Sequence, residues 1–302
     1  MSPTIFLRCR LSATVLLSLC FADTAIAGEN LFGFVKGAET LPENAMELYQ
    51  IATVRSGKGQ GSYQAIDYAT EVEYGVSDKF TIDGSLKMMS LDTEGLIINA
   101  YLPKDNKFSL KPSGVEAEAT YMFVSPALHP LGYSMQVGFD YSWIDPHSGQ
   151  DKDSYSVELS SIVQKYMLEG QLIWGAHASL ESTYASRAAI DDLPEDFEWP
   201  TDPEMEIEYS LGTGLSYRFA PKWFVSVEAF YQTEWETEVG QERWSLFAGP
   251  SLHYGSEKWW GTITWLPQLK GGGERYEGQK NTDLHLIEKT EQELRLKMAF
   301  NF

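Results

Sequence analysis

Along almost the whole chain, apolar and polar residues alternate with a period of two, and the apolar set is aromatic and β-branched. Such alternation puts successive side chains on opposite faces of a strand, so strands are the main element. From Leu131 to Trp143 the apolar set is Leu131, Tyr133, Met135, Val137, Phe139, Tyr141 and Trp143, with Ser134, Gln136, Gly138, Asp140 and Ser142 between. From Tyr63 to Val76 it is Ile66, Tyr68, Val72, Tyr74 and Val76 against Asp67, Ala69, Glu71, Glu73 and Gly75. Ten more segments follow suit: Met46 to Lys58, Lys79 to Met88, Gly114 to Ser125, Ser154 to Gln164, Met167 to Thr183, Met205 to Phe219, Trp223 to Thr237, Arg243 to Gly255, Trp259 to Leu269 and His285 to Phe302. Twelve predicted strands is an even number, as bacterial single-chain membrane barrels have.

The average hydropathy is mildly polar although 13% of the residues are aromatic, and no apolar run reaches 18 residues. Spanning helices are thereby excluded. A transmembrane antiparallel up-and-down β-barrel reconciles the two facts, because only every second strand residue meets lipid.

The connections sort by parity. Ser77-Asp78, Pro126 to Pro130, the region around Lys165, Ala220 to Lys222 and Ser256 to Lys258 are short. Met89 to Ser113, Trp143 to Asp153, Tyr184 to Glu204, Glu238 to Glu242 and Lys270 to Leu284 alternate with them and are mostly longer, Gly59 to Ser62 being the short exception. Short periplasmic turns and long outer loops are what a spanning barrel predicts. Aromatics rim the short turns: Tyr74, Phe80, Tyr121, Phe123, Tyr133, Tyr166, Phe219, Trp223, Tyr254 and Trp259. Trp143, Tyr155, Trp235 and Trp244 suggest a second girdle at the opposite ends.

The two ends fit export. Residues 1–27 carry Arg8 and Arg10, an apolar run from Leu11 to Ala22 and the small-residue site Ala25-Ile26-Ala27, the parts of a cleaved signal peptide. Both cysteines, Cys9 and Cys20, fall inside it, so disulfides, thiolate metal sites and cysteine nucleophiles are not expected in the mature chain. Its removal takes the formal charge from -20 to -21, which disfavours nucleic acid as a partner. The last strand ends Leu294, Leu296, Met298, Phe300 and Phe302 on one face, and Phe300 with Phe302 resembles the C-terminal signal read by the barrel-assembly machinery. The expected organisation is a signal peptide over 1–27, a periplasmic segment over 28–44 and an outer-membrane barrel over 45–302, with lipid and lipopolysaccharide as its surroundings.

Four stretches carry a family resemblance: Leu31-Phe32-Gly33, Gly37-Ala38-Glu39-Thr40-Leu41-Pro42, Gly59-Gln60-Gly61-Ser62-Tyr63 and Thr70-Glu71-Val72-Glu73-Tyr74-Gly75-Val76. Over roughly residues 31 to 76 the chain resembles an uncharacterised family of bacterial outer-membrane β-barrel-like proteins, a domain of unknown function. The resemblance implies a fold and a location and supplies no functional residue.

If the apolar faces meet lipid, the alternate residues face the lumen. The acids there include Asp67, Glu71, Glu73, Glu116, Glu118, Glu206, Glu208, Glu228 and Glu234, with Asp83, Asp140, Glu158, Glu169, Glu181, Glu236, Glu291 and Glu293 in the same set. The bases are fewer: Arg218, Arg243, Arg295 and Lys297, with Lys87 and Lys289. Carboxylate rings attract cations, so a narrow cation-biased channel for small solutes is one expectation. A structural or surface-exposed barrel with a plugged lumen is the alternative, since twelve strands lie between barrels that side chains fill and porins with a wide channel.

A rim hydrolase would need a converging histidine constellation. His147-Ser148 lies in an outer loop, and His177, His253 and His285 sit in no recognisable motif. The acidic loop from Asp191 to Glu204 fits no defined calcium spacing. No catalytic residue, cofactor or metal site is therefore expected. Gly95-Leu96-Ile97-Ile98, in the longest connection, is an apolar stretch that either constricts the mouth or forms a small packed cap.

Overall fold

The computed structural model describes residues 31–98, 105–190, 201–236 and 240–302. The leader over 1–27, Pro103 and the acidic run from Asp191 to Glu198 lie outside the described residues. Twelve strands follow one another: β1 (Met46–Ser56), β2 (Gln60–Ser77), β3 (Phe80–Ile97), β4 (Asn106–Val124), β5 (Gly132–Ile144), β6 (Asp151–Met167), β7 (Leu172–Arg187), β8 (Glu204–Ala220), β9 (Trp223–Glu236), β10 (Gly240–Gly255), β11 (Trp259–Gly273) and β12 (Gln292–Asn301). Each pairs antiparallel with its sequence neighbours, and β12 pairs with β1 to close the barrel.

The period-two pattern works as the sequence demands. Ile66, Val72, Val115, Val137, Phe139, Val157, Leu211, Val227, Ile263, Leu294 and Leu296 all stand on the exposed outer face. A soluble chain would not leave so continuous an apolar band uncovered, whereas lipid covers it without cost. At one rim Phe80, Tyr121, Phe123 and Tyr133 form a run of ring contacts, and Trp223, Tyr254 and Trp259 form another. At the other rim Tyr141 stacks on Tyr155 at 4.7 Å and touches Trp143.

Several boundaries differ from the sequence reading. The turn placed around Lys165 lies at 168–171, where Leu168, Glu169 and Gly170 adopt positive φ. Glu169 is therefore a turn residue and does not face the lumen. Tyr166 leaves the girdle for the same reason of register: it points inward and donates to Glu39. β3 and β4 run on through most of the presumed loop from Met89 to Ser113. With 18 and 19 residues at about 3.3 Å each they span about 60 Å, so the hairpin stands clear of the membrane.

The last strand begins at Gln292, not at His285. Residues 285–290 fold over the barrel mouth instead, because Leu284, Leu286 and Ile287 pack with Tyr63, Met89, Leu91, Leu96, Ile98, Ile144 and Tyr276 in one apolar cluster. Of the two readings of the Leu96 stretch, the packed cap is the one observed. The segment expected in the periplasm is also placed differently: from Leu31 to Leu41 it lies inside the barrel, with Leu31, Phe32, Val35, Ala38 and Leu41 buried.

Candidate lumen chamber and its plug

Residues 31–41 enter the lumen because the wall offers them both an apolar seat and polar anchors. Leu31, Phe32 and Val35 pack on Ile173 of β7 and Phe224 of β9, with Tyr166 alongside. Gly175 and Gly214, register partners across β7 and β8, make room for the Phe32 ring, since a Cβ at Gly214 would come within 2.6 Å of it. The fully buried Glu228 carboxylate accepts the backbone N–H groups of Gly33, Phe34 and Val35 at 2.9, 2.8 and 3.0 Å, and hydroxyls from Ser251 and Thr264. Arg295 donates to the Gly33 carbonyl at 3.1 Å and lies 3.8 Å over the Phe34 ring. Lys36 bridges Glu158 and Glu118 and donates to Gln136 at 2.6 Å, while its backbone N–H reaches His177 Nδ1 at 3.2 Å. Charge-assisted bonds of this kind are roughly twice as strong as neutral ones.

Above this plug the lumen holds a chamber of about 600 Å³. Asp67, Glu71, Glu116, Glu206, Glu208 and Glu234 line it, as the alternation predicts, with Asp140, Glu181, Lys87, Lys152, Arg243, Lys289 and Arg295. A second cavity of about 370 Å³ adjoins it and adds an apolar side made by Phe34, Phe230, Phe247 and Leu266. Glu73, Glu118 and Lys297 lie lower, around a cavity of about 180 Å³ beside the plug. Glu228 belongs to neither chamber, its role being taken by the plug. Arg218 stands half-buried near the C-terminal end of β8 and lines none of these cavities.

Carboxylates face carboxylates in this wall. Glu158, Glu181, Glu208 and Glu234 are successive register partners across β6, β7, β8 and β9. Like charges directly opposite one another destabilise a sheet, so counter-charges must come from elsewhere. Lys36 supplies one from the plug, and Lys289 reaches Glu208 at 3.3 Å from the last outer loop. Lys152 pairs with Glu206 at 3.4 Å, and Arg243 pairs with Glu234 and Glu288. Among the described residues no salt bridge reaches Glu71, Glu116 or Glu181.

Sequence reasoning missed the cations that complete this network. Arg55, which binds Asp67 at 2.5 and 2.9 Å, shares the lumen parity of Tyr49 and Thr53. Lys152 likewise follows the parity of Ser154 and Ser156 and was legible on β6. Lys36 carried no such signal, because nothing in its local pattern brings residues before the first strand into the barrel.

The outer mouth holds the remaining candidates. His147, considered for a rim site, turns inward, where Lys58 Nζ lies 3.1 Å from its Nδ1, and Ser148 instead donates to Asp145 at 2.8 Å. No converging hydrolytic arrangement forms at the rim among the described residues. Burial pushes His147 well below its ordinary range, helped by Lys58, and pushes His285 from 6.5 down to about 3, helped by Arg243. A histidine kept neutral in the closed mouth takes up a proton when the mouth opens. The closed form is therefore fully favoured above about pH 6.5 and loses ground as the pH falls toward about 3. Protease cleavage within residues 274–291 is expected to quicken between pH 7 and pH 5, and His285→Gln should flatten that dependence. An unchanged pH profile in the variant would remove His285 from the mechanism.

A family model described as "Family of unknown function (DUF6662)" matches residues 24–302. The fold is similar to that of the COG4313 outer membrane channel from Pseudomonas putida F1, with a TM-score of 0.56 at 12% identity over 88% of this chain and 98% of that one. It is also similar to the beta domain of the Bordetella autotransporter BrkA, with a TM-score of 0.54 at 11% identity over 86% of this chain and 100% of that one. No curated protein matches the sequence. At such identities the likeness concerns the fold: this is a closed barrel of the outer-membrane type.

Proposed function

Because the chain belongs to the DUF6662 family, whose description carries no activity, its function has to be read from the lumen, and we propose a narrow, cation-biased outer-membrane channel held shut by its own N-terminal segment. The observation that supports this most is the carboxylate ladder from Glu158 to Glu234 beside a chamber of about 600 Å³. A low-dielectric wall carrying one sign of charge focuses its field and concentrates counter-ions. The plug supports the gated form of the reading, because most of its anchors are ionic or polar and so can be exchanged for water.

Planar bilayers test this directly. The intact barrel should give rare, small steps, and a variant lacking residues 31–41 should give larger and longer ones that favour potassium over chloride. Glu181→Gln with Glu208→Gln should reduce that preference several-fold. Absence of steps from both the intact and the shortened barrel would overturn the channel reading. It would favour the second one, a permanently plugged surface barrel, which the apolar cap over the mouth supports.

A further inference from the structure

The barrel wall contains one stretch where two neighbouring strands touch without pairing. Between β10 and β11, Phe247 partners Gln268 and Ser251 partners Thr264 in the same register, but residues 248–250 and 265–267 between them carry no backbone pairing. Two prolines explain the interruption. Pro250 on β10 and Pro267 on β11 both lack an N–H donor, and each still keeps its register with the strand on its other side. The strands stay in contact only because Gly249 has no side chain: a Cβ there would come within 1.9 Å of the Trp265 carbonyl oxygen.

In hydrocarbon every broken backbone bond costs several kcal/mol, which is why barrel walls normally stay sealed. This seam can part over three register positions with a smaller loss, because Pro250 and Pro267 bring no N–H donors to it. It lies within the lipid-facing band, bordered by the exposed Leu252, Ile263 and Trp265. Its inner side is the apolar end of the adjoining cavity, where Phe230 and Phe247 are register partners on β9 and β10 and Leu266 stands on β11. The adjoining chamber carries the carboxylates that no salt bridge reaches, Glu71, Glu116 and Glu181.

We propose that the β10–β11 seam is a lateral passage between the chamber and the membrane for amphipathic cations, molecules with a small apolar body and an ammonium head. The apolar body would occupy the Phe230, Phe247 and Leu266 side, and the head would take the chamber acids as counter-charge. The choice of a cationic head rests on the proposed cation preference, whereas the passage itself does not depend on axial conduction.

The test uses vesicles with lipopolysaccharide in the outer leaflet and a styrylpyridinium dye that fluoresces only in lipid. Vesicles carrying the barrel should take up dye several-fold faster than protein-free vesicles. Ala248→Cys with Pro267→Cys, both on the lipid face, should lock the seam when oxidised, return uptake to the protein-free rate, and release it on reduction. Pro250→Val with Pro267→Val, which restores both donors, should slow uptake without a disulfide. Wild-type uptake in both variants, or no acceleration by the intact barrel, would overturn the passage. Cation conductance, read from the same oxidised variant, should be unchanged, so loss of lateral uptake with conductance intact separates this idea from the channel reading.

Discussion

Replacing Glu228 with Ala is expected to release the N-terminal segment from the lumen while leaving the barrel closed. Three consecutive backbone N–H groups converge on that carboxylate, and all three lose their acceptor together. Hydrogen bonds to a charged group contribute about 1.5 to 3 kcal/mol each, so even a net loss of about 3 kcal/mol shifts docking by about two orders of magnitude. A thiol placed at the fully buried Ala38 reads this out, because both natural cysteines precede residue 28. Its labelling by a water-soluble reagent should speed up about a hundredfold in Glu228→Ala. Glu228→Gln, which keeps one acceptor oxygen, should fall between. Equal labelling rates in all three proteins would show that the segment is held by its apolar seat alone.

The second large effect is expected at Arg243. Its side chain is 6% exposed and sits between Glu234 and Glu288, themselves 5% and 13% exposed. Removing the cation leaves three carboxylates, those of Glu234, Glu242 and Glu288, within 4.8 Å of one another, and breaking a buried pair from one side costs about 3 to 5 kcal/mol. Arg243→Ala should therefore lower the temperature at which the barrel loses its heat-modifiable gel migration and free the loop over the mouth for proteolysis. Adding Glu234→Gln, Glu242→Gln and Glu288→Gln to that variant should restore most of the loss, since the uncompensated charge of the cluster is then gone. A single variant that melts with the wild type would show that solvent already compensates this cluster.

The two predictions fall on parts of the molecule that differed in legibility. Strand number, strand order and the lipid face follow from a local rule, the alternation of side chains along each strand, and so could be read residue by residue. The lumen face comes from the same rule, which is why Glu71, Glu116 and Glu208 are where parity puts them. The rule fails where a side chain's partner comes from a distant, non-strand segment. Tyr166 looked like a girdle residue because it is an aromatic beside a short turn, yet its register turns it onto the plug. His285 looked like the start of a strand because the pattern before Gln292 is apolar, yet Leu286 and Ile287 spend that character on the cap. Pro250 and Pro267 were visible in the sequence, but only the pairing register shows that they face the same seam.

The docking of residues 31–41 also dates their arrival. Glu228 lies 195 residues after Gly33, and Arg295, which holds the same residue's carbonyl, lies 262 residues after it. Contacts so remote in the chain carry a loop-closure cost that only an almost finished wall can offset. The seat for Gly33 does not exist until β12 has joined β1. The segment that leads the barrel in sequence is thus the last to settle, and its protection from reagents is a timer for barrel closure. Until that moment the carboxylates of Glu118, Glu158 and Glu228 stand without the Lys36 ammonium and the backbone N–H groups that the plug brings to them.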